Sequence, residues 1–296
     1  MNTHYSSRRD FLKGASAAAV GLTLGGTSYT SPAAEKKRPI KKALMLATLG
    51  IKGTTLEKFQ ALKAAGFEGV EPMSHMDQDE VMRALDETGL KAASVCGAVH
   101  WAKPLSDPNP STREAGLEGL KQTLKDAKRY GASSILLVPG VARNGVSYDE
   151  CFERSVAEIK KSVPLAEELG VKIAVENVWN DFITKPEQAV AFMDAVGSPM
   201  IGWHFDIGNV IRYAAPETWI PILGKRILKL HIKEFSKEKK FSVKFFQGDN
   251  NWPAIMAALD KVGYKGWGIS EQPGEQTKDP ESLKAFSQDM DRIFAS

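Results

Sequence analysis

Val156-Ala-Glu-Ile-Lys-Lys-Ser-Val-Pro-Leu-Ala-Glu-Glu-Leu-Gly170 runs straight into Val171-Lys-Ile-Ala-Val-Glu176. In the first piece Val156, Ile159, Val163, Ala166 and Leu169 fall on one helical stripe. Gly170 stands just past the last turn, where a left-handed C-cap favours glycine. The second piece, Val171–Val175, is a short apolar run that suits a strand buried on both faces. This joint recurs along the chain. Further apolar runs are Ala43–Leu46, Gly69–Pro72, Ala92–Val99, Ser134–Pro139, Met200–Phe205, Ile227–Ile232 and Gly266–Ser270. The segments between them keep helical spacing, as in Leu56, Phe59, Leu62 and Ala65, or Leu120, Leu124, Ala127 and Tyr130, and Gly66, Gly131 and Gly263 follow their last turns. Buried strands alternating with helices imply a parallel sheet with right-handed crossovers. Eight such units predict a closed (β/α)₈ TIM barrel, a single domain over residues 41–296. An open doubly wound sheet would place a glycine-rich phosphate loop after the first strand, and Leu46-Ala-Thr-Leu-Gly-Ile-Lys-Gly53 does not carry that fingerprint.

Ahead of the barrel, residues 1–33 read as a twin-arginine export signal. Arg8 and Arg9 are adjacent, with Ser7 before them and Phe11, Leu12 and Lys13 after. A weakly apolar, glycine-containing stretch follows, too short to span a bilayer stably, and Ser31-Pro32-Ala33 is a small-x-small cleavage site. Residues 34–40 read as a polar linker. The expected address is the periplasm, reached through the twin-arginine translocase, a route that carries proteins already folded around a cofactor.

Composition narrows the classes of partner. The chain has 39 basic and 36 acidic residues; setting aside Arg8, Arg9, Lys13 and Asp10 leaves 36 against 35. A nearly neutral body predicts no nucleic-acid partner and no charged membrane surface. No later stretch is long and apolar enough for a stable membrane span. Two cysteines do not make a disulfide framework, and Cys96, in an apolar run, reads as a small buried hydrophobe. A homo-oligomer is compatible with this composition.

Barrel enzymes carry their chemistry at the C-terminal ends of the strands. Glu176, Asp206, His231 and Glu271 end strands five to eight, separated by 30, 25 and 40 residues, about one βα unit each. At matched strand ends their side chains can converge above the barrel axis. Three carboxylates cannot all ionise in one small space without a positive centre. A divalent cation supplies one, and an oxygen-rich set with one imidazole favours Mn²⁺, with Mg²⁺, Co²⁺ or Zn²⁺ also compatible.

Val175-Glu-Asn-Val-Trp-Asn180, His204-Phe-Asp-Ile-Gly-Asn209, Leu230-His-Ile-Lys-Glu234 and Gly248-Asp-Asn-Asn-Trp252 resemble the sugar phosphate isomerase/epimerase family, whose fold is the xylose isomerase-like barrel. The resemblance covers essentially all of the chain after the leader. It implies that Glu176, Asp206, His231 and Glu271 hold the metal. It also implies that Glu176 and Glu271 flank the substrate and move its proton. Asn209 stands where the tagatose 3-epimerase pattern has histidine, Phe182 where it has glutamate and Lys237 where it has arginine, so the resemblance is to the metal set more than to the free-ketose pocket. Independently, epimerising or isomerising a ketose requires removing a proton beside a carbonyl. Two carboxylates can take and return it while a cation stabilises the enediolate.

Five further positions are expected to bind substrate. Glu71 ends the second strand and His100 the third, both facing a ligand over the mouth. Trp179 can stack on a sugar face, with core or rim packing as an equal alternative. Asn209 lies three residues past Asp206, and Lys233 shares the face of His231 at its strand's end. His204, two before Asp206, reads as a packed histidine behind the metal ligands. Lys237–Lys240 reads as a solvated loop. Gly248 and Trp252 open the seventh helix, capped by Asn250 or Asn251.

The expected function is therefore a metal-dependent isomerase or epimerase of a sugar, unphosphorylated because sugar phosphates are chiefly cytoplasmic. A lyase, dehydratase or hydrolase of a keto-sugar would begin with the same proton abstraction. A non-catalytic periplasmic sugar-binding protein would need no three-carboxylate site. An abasic-site endonuclease would need more histidines than His75, His100, His204 and His231, and a basic face.

Overall fold

Eight parallel strands form the frame of the computed structural model, which describes residues 37–272 and 275–296. They are β1 (Ile40–Met45), β2 (Gly69–Glu71), β3 (Lys91–Ala92, continued by Val95–Cys96), β4 (Ser134–Leu137), β5 (Lys172–Glu176), β6 (Ile201–Asp206), β7 (Ile227–Ile232) and β8 (Gly266–Ser270). Each pairs in parallel with its neighbours in chain order, and β8 pairs with β1. The third strand is broken at Ala93-Ser94. Its first half pairs with β2, its second half pairs with β4, and a Met73–Cys96 bridge carries the sheet across the break. With that joint the sheet closes, giving the single-domain parallel α/β barrel expected from the repeat.

The helices between strands are α1 (Thr55–Ala64), α2 (Gln78–Thr88), α3 (Pro110–Tyr130), α4 (Tyr148–Leu169), α5 (Pro186–Val196), a short α6 (Ile207–Val210), α7 (Pro216–Leu223), α8 (Trp252–Val262) and α9 (Pro280–Ala295). Their starts follow local chemistry. Pro110, Pro186, Pro216 and Pro280 open helices where a missing N–H costs nothing. Ser147 and Glu150 form a capping box on α4, and Asn251 caps α8 by accepting from the Ala254 N–H. Gly131, Gly170 and Gly263 are left-handed C-caps, as their positions predict.

Two apolar layers result. The outer one lies between strands and helices and includes Phe59, Leu62, Leu124, Ile159 and Phe192. The inner one lines the barrel with smaller residues: Ala43, Met45, Ala93, Cys96, Leu136 and Ile269. The interior is therefore narrow, and the side chains of β6 and β7 that share it are polar.

The expected boundary between linker and barrel shifts in one place. β1 begins at Ile40, inside the segment read as linker, and Arg38 already binds Asp260 (Nε to Oδ1 3.0 Å) and the Phe294 carbonyl (2.6 Å). Residues 1–33, read above as an export signal, and residues 34–36 lie outside the described residues. Among the described residues no helix is long and apolar enough to cross a membrane.

Candidate active site

The C-terminal ends of β5 to β8 bring four side chains together. Register places Asp206 beside His231 and His231 beside Ile269, while Glu176 sits beside His204. Alternation along each strand then turns Glu176, Asp206, His231 and Glu271 toward the axis. One ligand atom from each lies within 4.8 Å of all the others. His231 Nδ1 is 2.9 Å from Glu176 Oε1, 3.2 Å from Glu271 Oε2 and 3.8 Å from Asp206 Oδ2. Asp206 is aimed by its neighbours, because its Oδ1 accepts the Asn209 N–H at 2.7 Å, leaving Oδ2 for the cluster.

Burial sets the electrostatics. It pushes the Glu176 carboxyl up to about 8, against the pull of His231. Asp206 is raised for the same reason, against the pull of Lys233. Burial also acts on Glu271, but Lys233 and His231 win and hold it well below the ordinary carboxylate range. Glu176 and Glu271 thus shift in opposite directions while touching the same imidazole nitrogen. The Lys233 ammonium accounts for this, standing 2.7 Å from Glu271 Oε2. Burial opposes charge on His231, yet Glu271, Glu71 and Glu176 raise it well above an ordinary histidine.

This donor set fits a divalent cation. Three carboxylates meet one imidazole nitrogen in a buried pocket where positive charge is required. Three oxygens and one nitrogen suit Mn²⁺, Mg²⁺, Co²⁺ or Zn²⁺. Glu176, Asp206, His231 and Glu271 are the residues that would hold it.

The other candidate positions fare differently. Glu71 is not at the mouth. It is fully buried inside the barrel, with Oε2 3.0 Å from His231 Nε2, so that imidazole rather than a ligand is its partner. His100 is buried, and its Nδ1 accepts the Val138 N–H at 3.3 Å. Trp179 packs against Phe235 and Phe241, lies under the Arg212 guanidinium and donates Nε1–H to the Asn209 carbonyl at 2.9 Å. Its ring is engaged by protein groups, the packing alternative. Asn209 is also turned inward, donating Nδ2–H to the Asn177 carbonyl at 3.1 Å. Lys233 is bonded to Glu271 and lies 3.4 Å from Asp206. His204 is fully buried, its ring centroid 4.1 Å from that of His231. Lys237–Lys240 is exposed.

Three supporting residues carried no role in the sequence reading. Asn177 accepts from Trp203 Nε1 and the Asp206 N–H, both at 3.0 Å, and donates to the Asp206 carbonyl at 2.8 Å. It locks the end of β5 to β6, and its position directly after a strand-end glutamate was the available signal. Gln272 accepts the Glu234 N–H at 2.6 Å and donates to the Val243 carbonyl at 2.7 Å. Glu234, fully buried, accepts from the Phe246 N–H (2.8 Å), the Asn250 N–H (3.2 Å) and Trp252 Nε1 (2.8 Å). These two organise the long loop between β7 and α8.

Known proteins share this arrangement of strands. L-ribulose-5-phosphate 3-epimerase UlaE of Escherichia coli O157:H7 is 25% identical over 249 residues, covering 79% of this chain and 87% of the relative. Among solved structures, the D-psicose 3-epimerase of Clostridium cellulolyticum H10 superposes with a TM-score of 0.72 at 18% identity, covering 87% of this chain and 100% of that one. The 3-keto-D-glucoside 4-epimerase YcjR of Escherichia coli gives 0.73 at 18% identity, covering 86% and 98%. These two likenesses establish the barrel. A family profile described as the xylose isomerase-like TIM barrel matches residues 59–293. This chain belongs to the xylose isomerase-like TIM barrel family, with sugar epimerases among its homologues.

Proposed function

We propose that the protein is an exported, divalent-metal-dependent epimerase or isomerase of an unphosphorylated ketose or keto-sugar. The observation that carries this reading is the convergence of Glu176, Asp206, His231 and Glu271 within 4.8 Å at the mouth end of the barrel. When bound, the cation is a Lewis acid for the substrate's carbonyl and hydroxyl oxygens, stabilising the charge that develops as the neighbouring C–H loses its proton. Glu176 and Glu271 stand on β5 and just after β8. One takes the proton from carbon and the other returns one to the opposite face. Lys233 braces Glu271 through their 2.7 Å ion pair. Asn177 and Asn209 hold Asp206 from behind, so the cluster is preorganised by bonds that do not involve substrate. Mn²⁺ is the favoured cation.

The test is a metal-stripped, Mn²⁺-reloaded protein incubated in D₂O with L-ribulose, D-allulose, D-tagatose and 3-keto-D-glucoside, beside L-ribulose 5-phosphate. NMR is expected to show deuterium on the carbon beside the carbonyl and an epimeric or isomeric product from an unphosphorylated sugar. Turnover of the phosphate alone would overturn the unphosphorylated assignment. A dehydrated or cleaved product in place of an epimer or isomer would indicate elimination. No exchange from any sugar would end the enediolate reading.

Export is supported by the Arg8-Arg9 pair, the apolar stretch behind it and Ser31-Pro32-Ala33. Arg8→Lys with Arg9→Lys keeps the charge and removes the paired guanidinium groups. Cell fractionation is expected to find the double variant in the cytoplasm; normal periplasmic yield would refute the leader.

A further inference from the structure

The two nitrogens of His231 face different surroundings. Nδ1 points into the carboxylate cluster, while Nε2 points the other way, 3.0 Å from Glu71 Oε2. Both side chains are fully buried. Glu71 reaches His231 from β2, three strands round the closed barrel, past the small inner lining of Ala43, Met45 and Cys96. Its other oxygen, Oε1, has no partner among the described residues, so its one side-chain hydrogen bond is the one to His231. Neither nitrogen of the adjacent His204 has a partner among them either.

A histidine that gives Nδ1 to a cation cannot keep a proton there, so a neutral ring carries its proton on Nε2. That N–H, buried in an apolar lining, needs an acceptor. Metal-bound histidines are commonly oriented by such a carboxylate, which fixes the tautomer and raises the basicity of the ligating nitrogen.

We propose that Glu71 is a positioning residue for the metal centre, accepting the His231 Nε2–H and thereby aiming Nδ1 at the cation. It acts through His231 and does not touch substrate. This inference rests on the metal reading above. The rival arrangement is a second cation seated among Glu71, His204 and His231, whose ligand atoms also lie within 4.8 Å of one another.

The full chain, stripped with a chelator, is titrated with MnCl₂ and separately with CoCl₂, as wild type, Glu71→Gln, His231→Gln and the double variant. Wild type is expected to take one ion per chain. Glu71→Gln keeps the volume and loses the charge, so Mn²⁺ affinity is expected to fall about 10- to 100-fold, with a shifted Co²⁺ visible spectrum. In the His231→Gln background the Glu71→Gln change is expected to cost nothing more. Equal affinity and an unchanged Co²⁺ spectrum in Glu71→Gln would overturn the proposal, as would additive costs in the double variant or two ions per wild-type chain. Should Glu71→Gln fail to fold, histidine ¹H–¹⁵N NMR of the Zn²⁺-loaded wild type decides. A slowly exchanging proton on His231 Nε2 supports the proposal, and metal on Nε2 refutes it. A wild type that binds no ion overturns the metal reading itself, a separate result.

Discussion

Glu271 has two partners that compete for one oxygen, the Lys233 ammonium and His231 Nδ1, both on Oε2. Glutamine at this position keeps the volume and one oxygen but cannot accept a proton near neutral pH. Glu271→Gln assayed at saturating Mn²⁺ is therefore expected to be folded and metal-bound, with kcat lower by at least about 10². Near-wild-type turnover would remove Glu271 from the proton transfer. His100 offers a test unconnected with turnover. Burial lowers its pKa from 6.5 to about 4, with Glu271 pulling the other way. Between those values the unfolded chain binds more protons than the folded one. His100 thus contributes stability that is fully present above pH 6.5 and is lost as pH falls through about 4, worth roughly 3 kcal/mol. Urea unfolding at pH 7, 5.5 and 4 is expected to show a shallower acid loss in His100→Gln by that order. Parallel curves would mean that His100 is protonated in the fold.

At the scale of an element, the loop from Lys233 to Asn251 is held by Glu234. Oε2 serves Phe246 N–H and Trp252 Nε1–H while Oε1 serves Asn250 N–H. In Glu234→Gln one of those oxygens becomes an NH₂ group, so at least one buried donor faces another donor. The expected loss is about 1–3 kcal/mol in thermal or urea unfolding, with faster amide exchange confined to the loop and metal content near wild type. Loss of metal instead would mean that the loop builds the cluster. Gly248 shows how tightly the loop is drawn: a Cβ there would stand 2.3 Å from the Phe235 carbonyl oxygen. The sequence makes the four cluster residues legible because polar side chains at the ends of apolar runs, one βα unit apart, have one common destination in a barrel. The strands themselves were legible for the same reason, to within a few residues. The contact of Glu71 with His231 was not, because it joins residues 160 apart across the barrel with no periodic signal between them. Packing of Trp179 was one of two open readings, but its partners Phe241 and Arg212 arrive from separate loops and could not be named. The partners of Glu234 lie up to 18 residues away with no periodic signal joining them.

For the whole molecule, closure of the sheet does two things. It pairs β1 with β8, leaving the break in β3, crossed by the Met73–Cys96 bridge, as the one interruption of the ring among the described residues. It also brings the first and last described turns into contact. Arg38 clasps Asp260 and the Phe294 carbonyl, and Lys42 reaches Asp291 at 2.6 Å and the Ser287 carbonyl at 3.1 Å. Sequence order is therefore nearly immaterial to this architecture, since each unit already has a neighbour on both sides. A circular permutant follows. Residues 37–296, joined end to end by a short glycine-rich linker and reopened between Gly197 and Ser198, would keep every strand pair. That turn precedes β6, at the opposite end of the strands from Glu176, Asp206, His231 and Glu271. The permutant is expected to unfold cooperatively and to retain one divalent ion per chain by elemental analysis. A permutant that stays unfolded would show that β1 must be made first, and the ring of units would then have a beginning after all.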